Sequence, residues 1–257
     1  MWHSKTPHFW RIALIALLFS GCNNHSPANV AFEREMSVNS LLMAKQPLQV
    51  VHVFYSTDRV ADIVDQDDVF ASDAEVTVSG NAQSVKFHLN FDSRGKRQFT
   101  DAPETLRVIS GETYRLTVRG ESGVIEGETI VPGVFQINNP ASGDILPKDQ
   151  SFTFRWTASE AAKGYLIYIY RPPTEIPITP DSTLIARPQE MFGATDTEIE
   201  IPGYVFREPG KHLLYVVAYD ENFFRHAYQE HNASGISGGY GMFASAAVDT
   251  LHFFVSE

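Results

Sequence analysis

Four places in this chain hold residue types that could do chemistry. Gly235-Ile-Ser-Gly-Gly239 matches the Gly-x-Ser-x-Gly pattern of a nucleophile elbow. There a strained strand-to-helix turn lifts the serine, here Ser237, toward backbone oxyanion donors. The elbow needs an acid and a histidine after the serine, and only Asp249 and His252 follow, three apart. Tyr240-Gly-Met-Phe243 does not start a helix, so a serine hydrolase using Ser237 stands as an alternative to a plain glycine connection. His226 and His231 suggest a zinc helix. Zinc helices space their histidines four apart, and five apart places these about 140° round the helix. Asp62, Asp65, Asp67 and Asp68, with Asp73 and Glu75, could gather calcium, which takes roughly six to eight oxygens. The EF-hand order and its central glycine are absent, so the stretch reads as an exposed acidic loop and no metal is expected. The aromatics Tyr165, Tyr168, Tyr170, Phe223, Phe224, Tyr228, Tyr240 and Phe243 could form a sugar-stacking surface, the mark of a carbohydrate-binding accessory protein. Most are accounted for as sheet faces and core. Phe223, Phe224 and Tyr228, at i, i+1 and i+5 of a short helix, cannot all point inward. Together with Tyr240 and Phe243 they form an expected contact patch.

The single cysteine, Cys22, belongs to a different kind of chemistry. It follows eight uninterrupted apolar residues, Ile12 to Phe19, and two small ones, Ser20 and Gly21; the segment before carries Lys5 and Arg11 and no acid. A helix of eight residues spans about 12 Å, far short of the ~30 Å hydrocarbon core of a bilayer. The run therefore reads as the apolar region of a secretory signal, residues 1–21. Its ending resembles a bacterial lipobox, with Phe19 where leucine is usual. The resemblance implies cleavage before Cys22, lipidation of its thiol, and attachment of the mature chain to a membrane through that lipid.

Cleavage there leaves 236 residues with 18 basic against 31 acidic side chains, a formal charge of −13. That field repels nucleic acid, and no basic cluster offsets it. An intrachain disulfide is impossible with one cysteine, so apolar packing alone must hold the fold. A hydrophobic content of 43% with 18 Phe can supply it. No cofactor motif is present. Residues 22–37 are polar and patternless and read as a tether.

Strand patterns dominate the remainder of the chain. Glu75-Val-Thr-Val-Ser79 alternates and meets a turn at Gly80-Asn81. Ser84 to Phe91 alternates so that Val85, Phe87, Leu89 and Phe91 share a face. Thr113 to Arg119 and Val124 to Val131 flank a turn at Gly120 to Gly123. Pro132-Gly133 closes this first unit, 38–133. The second, 134–257, has Phe152, Phe154 and Trp156 on one strand face, further strands at Gly164–Tyr170 and Lys211–Tyr219, and a proline-rich stretch from Pro172 to Pro180 that no sheet interior would accept. Asp220 to His231 is the one expected helix. The predicted class is all-β: two tandem β-sandwiches with one short helix near the C-terminus.

Trp156 and the later strand with Tyr215, Ala218 and Asp220 resemble the fibronectin type III pattern, a relative of the Ig-like sandwiches, which implies that Trp156 and Tyr215 are core residues. The first unit resembles transthyretin-like or carboxypeptidase-regulatory-like sandwiches through Ala74-Glu-Val-Thr-Val78 and Ile109 to Val118. The chain after Cys22 also resembles a family of two-domain Bacteroidota lipoproteins of unknown function that end in a stretch like Gly238-Gly-Tyr-Gly-Met-Phe243. That resemblance implies an outer-membrane lipoprotein acting as a binding or scaffold module without catalysis, with an envelope protein or transporter as partner, in some cases a TonB-dependent uptake system. Asn23 after the cysteine agrees with outer-membrane sorting as known in enterobacteria. Asp181-Ser-Thr183 fits a short O-glycosylation pattern of the same phylum.

The lipid assignment predicts that the mature protein incorporates labelled palmitate and partitions into detergent, and that Cys22→Ser does neither. Label retained by the variant would refute it.

Overall fold

The computed structural model describes residues 32–57, 69–103, 105–171, 190–229 and 232–257. Cys22, Asp62, Asp65, Asp67, Asp68, His231, the proline-rich stretch from residue 172 and the 181–183 tripeptide lie outside them. No helix among the described residues is long and apolar enough to cross a membrane.

Seven strands form the first half: β1 (Met36–Met43), β2 (Val50–Tyr55), β3 (Glu75–Gly80), β4 (Gln83–Phe91), β5 (Arg97–Thr100), β6 (Thr113–Gly120) and β7 (Gly123–Ile130). Their period-two alternation settles which side faces in. Val76 and Val78 of β3 and Tyr114, Leu116 and Val118 of β6 are buried, as are Met36, Val38 and Leu42 of β1. The β3–β4 hairpin turns through Asn81 at φ 47° and Ala82 at φ 56°, the two left-handed residues that a tight hairpin needs. β4 then changes partner. Gln83–Phe87 pair with β3, and His88–Phe91 pair with β5. The expected common face breaks at that handover: Val85 and Phe87 are in the core, while Leu89 and Phe91 are 43% and 59% exposed. The two sheets so joined pack face to face. β7 approaches the strand carrying Phe243 so closely that a side chain at Gly127 would press on the Phe243 ring.

The second half contributes β8 (Ile137–Asn139), β9 (Ile145–Leu146), β10 (Phe152–Trp156), β11 (Gly164–Tyr170), β12 (Glu190–Ala194), β13 (Glu198–Ile201), a 3-10 turn (Gly203–Phe206), β14 (Gly210–Tyr219), α1 (Glu221–Tyr228), β15 (Ala233–Ser234), β16 (Ile236–Ser237) and β17 (Tyr240–Val255). A three-stranded sheet, β13-β10-β8, faces the sheet containing β12-β11-β14-β17. Aromatic rings fill the space between. Phe154 meets Phe253 at 5.7 Å and Phe206 at 6.1 Å, and Trp156 meets Tyr165 at 5.2 Å. Trp156 is a core residue as expected, but its partner is Tyr165. Tyr215 faces the other way, because Leu214 and Val216 take the inward positions of β14; with a period of two, one residue of offset decides the face. The fold is thus all-β, built as sandwiches with one short α-helix near the C-terminus among the described residues.

β17 connects everything. Tyr240–Ala246 pair in parallel with Ser37–Met43 of β1, and Ala246–Val255 pair antiparallel with β14. β15 and β9 lie parallel to β17, and β16 pairs with β7. Gly235, Ile236–Ser237 and Tyr240–Ala246, which follow the second unit in sequence, are hydrogen-bonded to β7 and β1 of the first half.

A shared strand should make the two sandwiches unfold together. Trp156 is the only tryptophan after Cys22, so its fluorescence reports the second sandwich. Phe243→Ala, in the first sandwich's share of β17, should cost about 3–5 kcal/mol and lower the urea midpoint read by Trp156. An unmoved Trp156 transition would show that the strand does not couple them.

Candidate functional site

α1 is positioned from its first residue. Asp220, the last residue before the helix, is buried and caps it: Oδ1 accepts from the backbone N–H of Phe223 at 2.9 Å. Its other oxygen, Oδ2, accepts from the Thr129 hydroxyl of β7 and lies 3.3 Å from Ser245 Oγ of β17. Thr129 and Ser245 hydroxyls are 2.7 Å apart, and Ser245 Oγ also reaches the carbonyl of Ile130 at 3.0 Å. Burial pushes the Asp220 carboxyl above the usual carboxylate range, opposed by the bonds from Thr129, Phe223 and Ser245. Asn222 adds a second clamp, its Nδ2 donating to the carbonyls of Glu128 at 2.8 Å and Phe243 at 3.0 Å. Gly235 sits against Asn222 at φ 69°, where a Cβ would collide with that amide, and its carbonyl accepts from Glu128 N–H at 2.9 Å. The glycine-rich stretch is therefore an edge cover for β7.

This placement decides the fate of Ser237. It lies on β16 opposite Glu126, in an antiparallel bridge with no strand-to-helix turn. An open polar cleft of about 580 Å³ beside it is lined by Arg115, Glu126, Glu128, Asn222 and Arg225. Arg115 is ion-paired to Glu128 at 2.9 Å, and no described histidine lines the cleft. Asp249 and His252 sit nine and twelve residues beyond the start of β17, about 30 and 40 Å along an extended strand. Asp249 instead accepts from Ile137 N–H at 2.8 Å. Among the described residues no histidine reaches Ser237; the acids beside it are Glu126, opposite it on β7, and Glu128, which is held by Arg115. The described residues also bring no three histidine, cysteine or acidic residues together as a metal would need. His212 is fully buried and stacked on Phe253 at 5.3 Å, its pKa lowered by burial; it is a core residue.

The expected contact patch divides. Phe223, Phe224 and Tyr228 do lie together on α1, with Phe224–Tyr228 at 5.4 Å and Tyr228 54% exposed. Lys163 sits over the Phe224 ring at 5.4 Å and pairs with Glu221 at 3.1 Å. Tyr240 is elsewhere, donating to Glu35 at 3.3 Å. Phe243 is not a surface residue at all: it is fully buried between the sheets, because β17 turns it toward β7.

A second cleft is not evident as a site from the sequence. The outward residues of β11, namely Leu166, Tyr168 and Tyr170, lie beside Tyr215 and Val217 of β14, and Phe223 of α1 closes one end. The cleft has a volume of about 260 Å³ and a mostly apolar lining. Tyr170 meets Tyr215 edge-on at 5.3 Å, and Phe223 meets Tyr219 at 5.0 Å. Burial raises the pKa of Tyr168 and Tyr170, and pushes Tyr219 up to about 12 with help from Tyr228. All three stay neutral hydrogen-bond donors at physiological pH. A signal for it exists in Gly164 to Tyr170, which is apolar or aromatic at nearly every position. An antiparallel strand with one wet face alternates with polar residues instead.

No family model and no curated protein matches the chain. Solved structures similar to it include the fibronectin(III)-like modules of Clostridium thermocellum CbhA, at 9% identity over 86% of this chain and 94% of that one, with a TM-score of 0.26. Another is the FN1–FN3 segment of chicken CNTN1, at 10% identity over 87% and 67%, TM-score 0.28. A third is DIP-gamma IG1+IG2, at 8% identity over 88% and 99%, TM-score 0.22. At such scores these likenesses carry no argument, and the description as β-sandwiches rests on this chain's own strand order and packing.

Asp220 gives the test of this arrangement. Asp220→Ala removes the cap and the acceptor of the Thr129 hydroxyl, which keeps only Ser245 as partner, at a cost of about 1–2 kcal/mol. Asp220→Asn keeps a capping oxygen. A raised folded pKa means that the carboxyl's contribution is full below pH 3.8, the value of the unfolded chain, and is lost as pH rises through the folded value. The parent's stability relative to Asp220→Asn should thus fall with rising pH across that window in urea titrations. A relative stability that climbs instead would mean the carboxylate is favoured by its site.

Proposed function

We propose that this chain is a lipid-anchored envelope protein that works by contact and not by catalysis. Cys22 carries the lipid, the polar residues after it form the tether, and the sandwiches are presented from the outer membrane to a protein partner. The resemblance to two-domain envelope lipoproteins adds the finer expectation of an accessory to a TonB-dependent uptake system. The observation that carries the contact role is the aromatic cleft on the outer face of β11 and β14, with the ring cluster of α1 beside it. A sheet face that could have been polar holds tyrosine, leucine and valine instead, the composition of a binding surface. Ser237 has neither a strand-to-helix turn nor a described histidine beside it, which supports leaving hydrolysis aside.

A photo-cross-linking residue placed at Tyr215 should, on illumination of living cells, give a discrete covalent adduct that the same residue at exposed Lys86 does not. Equal labelling at both positions would sink the contact role. So would an esterase or peptidase activity of the purified protein that Ser237→Ala abolishes.

A further inference from the structure

We propose that the aromatic cleft receives a proline-rich segment of another envelope protein, bound as a polyproline II helix. This rests on the cleft being the contact site. Three features of the cleft constrain its ligand. First, among the described residues no carboxylate, ammonium, guanidinium or imidazole lines it, and Gln46 supplies the one side-chain amide, so a charged ligand would find no counter-charge among them. Second, the rings form one cluster: Tyr168 and Tyr170 are 6.4 Å apart along β11, Tyr215 lies opposite Tyr168 on β14 and 5.3 Å from Tyr170, and Leu166 and Val217 lie beside them. Third, the hydroxyls of Tyr168, Tyr170 and Tyr215 make no hydrogen bond to another described residue. The ligand must therefore be uncharged, must bury flat apolar surface against rings, and must offer hydrogen-bond acceptors.

These requirements separate the ligand classes. A sugar presents hydroxyls over most of its surface, and against Leu166 and Val217 many would be buried without partners, each at a cost. An α-helix has spent its carbonyls on its own backbone. An added β-strand needs a free backbone edge, whereas this cleft lies on a sheet face and offers only side chains. A polyproline II helix has no internal hydrogen bonds, so its carbonyls are free to accept from the tyrosine hydroxyls. Its proline rings are rigid apolar plates, and aromatic-lined grooves are the surfaces that bind such helices. The preformed helix also loses little conformational freedom on docking.

The experiment titrates an end-capped, uncharged decaproline peptide into the intact lipoprotein in detergent, read by calorimetry and tyrosine fluorescence, with maltohexaose in parallel. Saturable binding of the peptide and none of the sugar is expected. Tyr168→Phe, Tyr170→Phe and Tyr215→Phe keep every ring and remove one oxygen each; together they should weaken the peptide at least about fivefold. Their melting midpoints, measured alongside, should match the parent. Peptide affinity unchanged in the triple variant, or saturation by maltohexaose and not by peptide, overturns the proposal. A Tyr215 adduct in cells without peptide binding overturns the ligand class alone; loss of both overturns the contact role as well.

Discussion

Ala246 pairs with Met43 of β1 on one side and with Tyr219 of β14 on the other. It is the point at which β17 leaves one sandwich and enters the next, and the rest of the structure is arranged round that handover. The backbone N–H of Ala44 donates to the Ala246 carbonyl at 3.0 Å, continuing the ladder one step past β1. The neighbouring residue, Ser245, is where the polar network converges: its carbonyl accepts from Asp220 N–H at 3.1 Å, and its hydroxyl joins Asp220 to Thr129. A carboxylate taken out of water is expensive unless its oxygens are hydrogen-bonded, and here both are. Because the donors come from β7, β17 and the first turn of α1, the network can be satisfied only when the two halves of the chain are in register. It is worth more as a specifier of that register than as a source of stability.

The same arrangement accounts for the outer face of β11 and β14. α1 begins directly after β14, with Asp220 and Asn222 pinning its first turn to β7 and β17. Phe223 is thereby held against Tyr219 at the edge of the tyrosine cluster. The aromatic cleft is built on strands in the middle of a sheet and closed by a clamped helix, which gives its rings fixed positions. Flexible loops do not supply such precision. The polar cleft near Ser237 has the opposite character. Its charges face each other across Arg115 and Glu128, and its glycine-rich wall serves to satisfy the edge of β7.

Much of this is legible in the sequence because period-two alternation survives wherever a strand keeps one partner and one dry face. Val76, Val78, Leu116 and Val118 are readable for that reason, as are the hairpins at residues 80–83 and 120–123 and the helix with its capping Asp220. Errors fall where local pattern and long-range pairing part company. Leu89 and Phe91 continue the rhythm of β4 after its partner has changed. The fibronectin resemblance puts Tyr215 inward, yet in a strand apolar on both faces the pattern cannot say which face is which. Phe243 looks like part of a glycine-rich surface loop, because nothing local announces that residues 240–246 pair with a strand roughly 200 positions earlier. The aromatic cleft escapes a sequence reading for the same reason. Its residues are visible there only singly, and it is the pairing of β11 with β14 that sets Tyr168 opposite Tyr215.

The parallel pairing of the first described strand with the last has a consequence for the order of events in the cell. Neither sandwich is complete until β17 is available: the first lacks the neighbour of β1, and the second lacks the strand between β14 and β9. A chain that emerges N-terminus first must therefore wait for nearly its whole length before either core can close, since loop closure over that span precedes any gain from the contacts. For a chain exported as proposed here, that delay is useful. Translocation through a membrane pore requires an unfolded polypeptide, and a topology that withholds its keystone strand stays threadable until β17 itself has crossed.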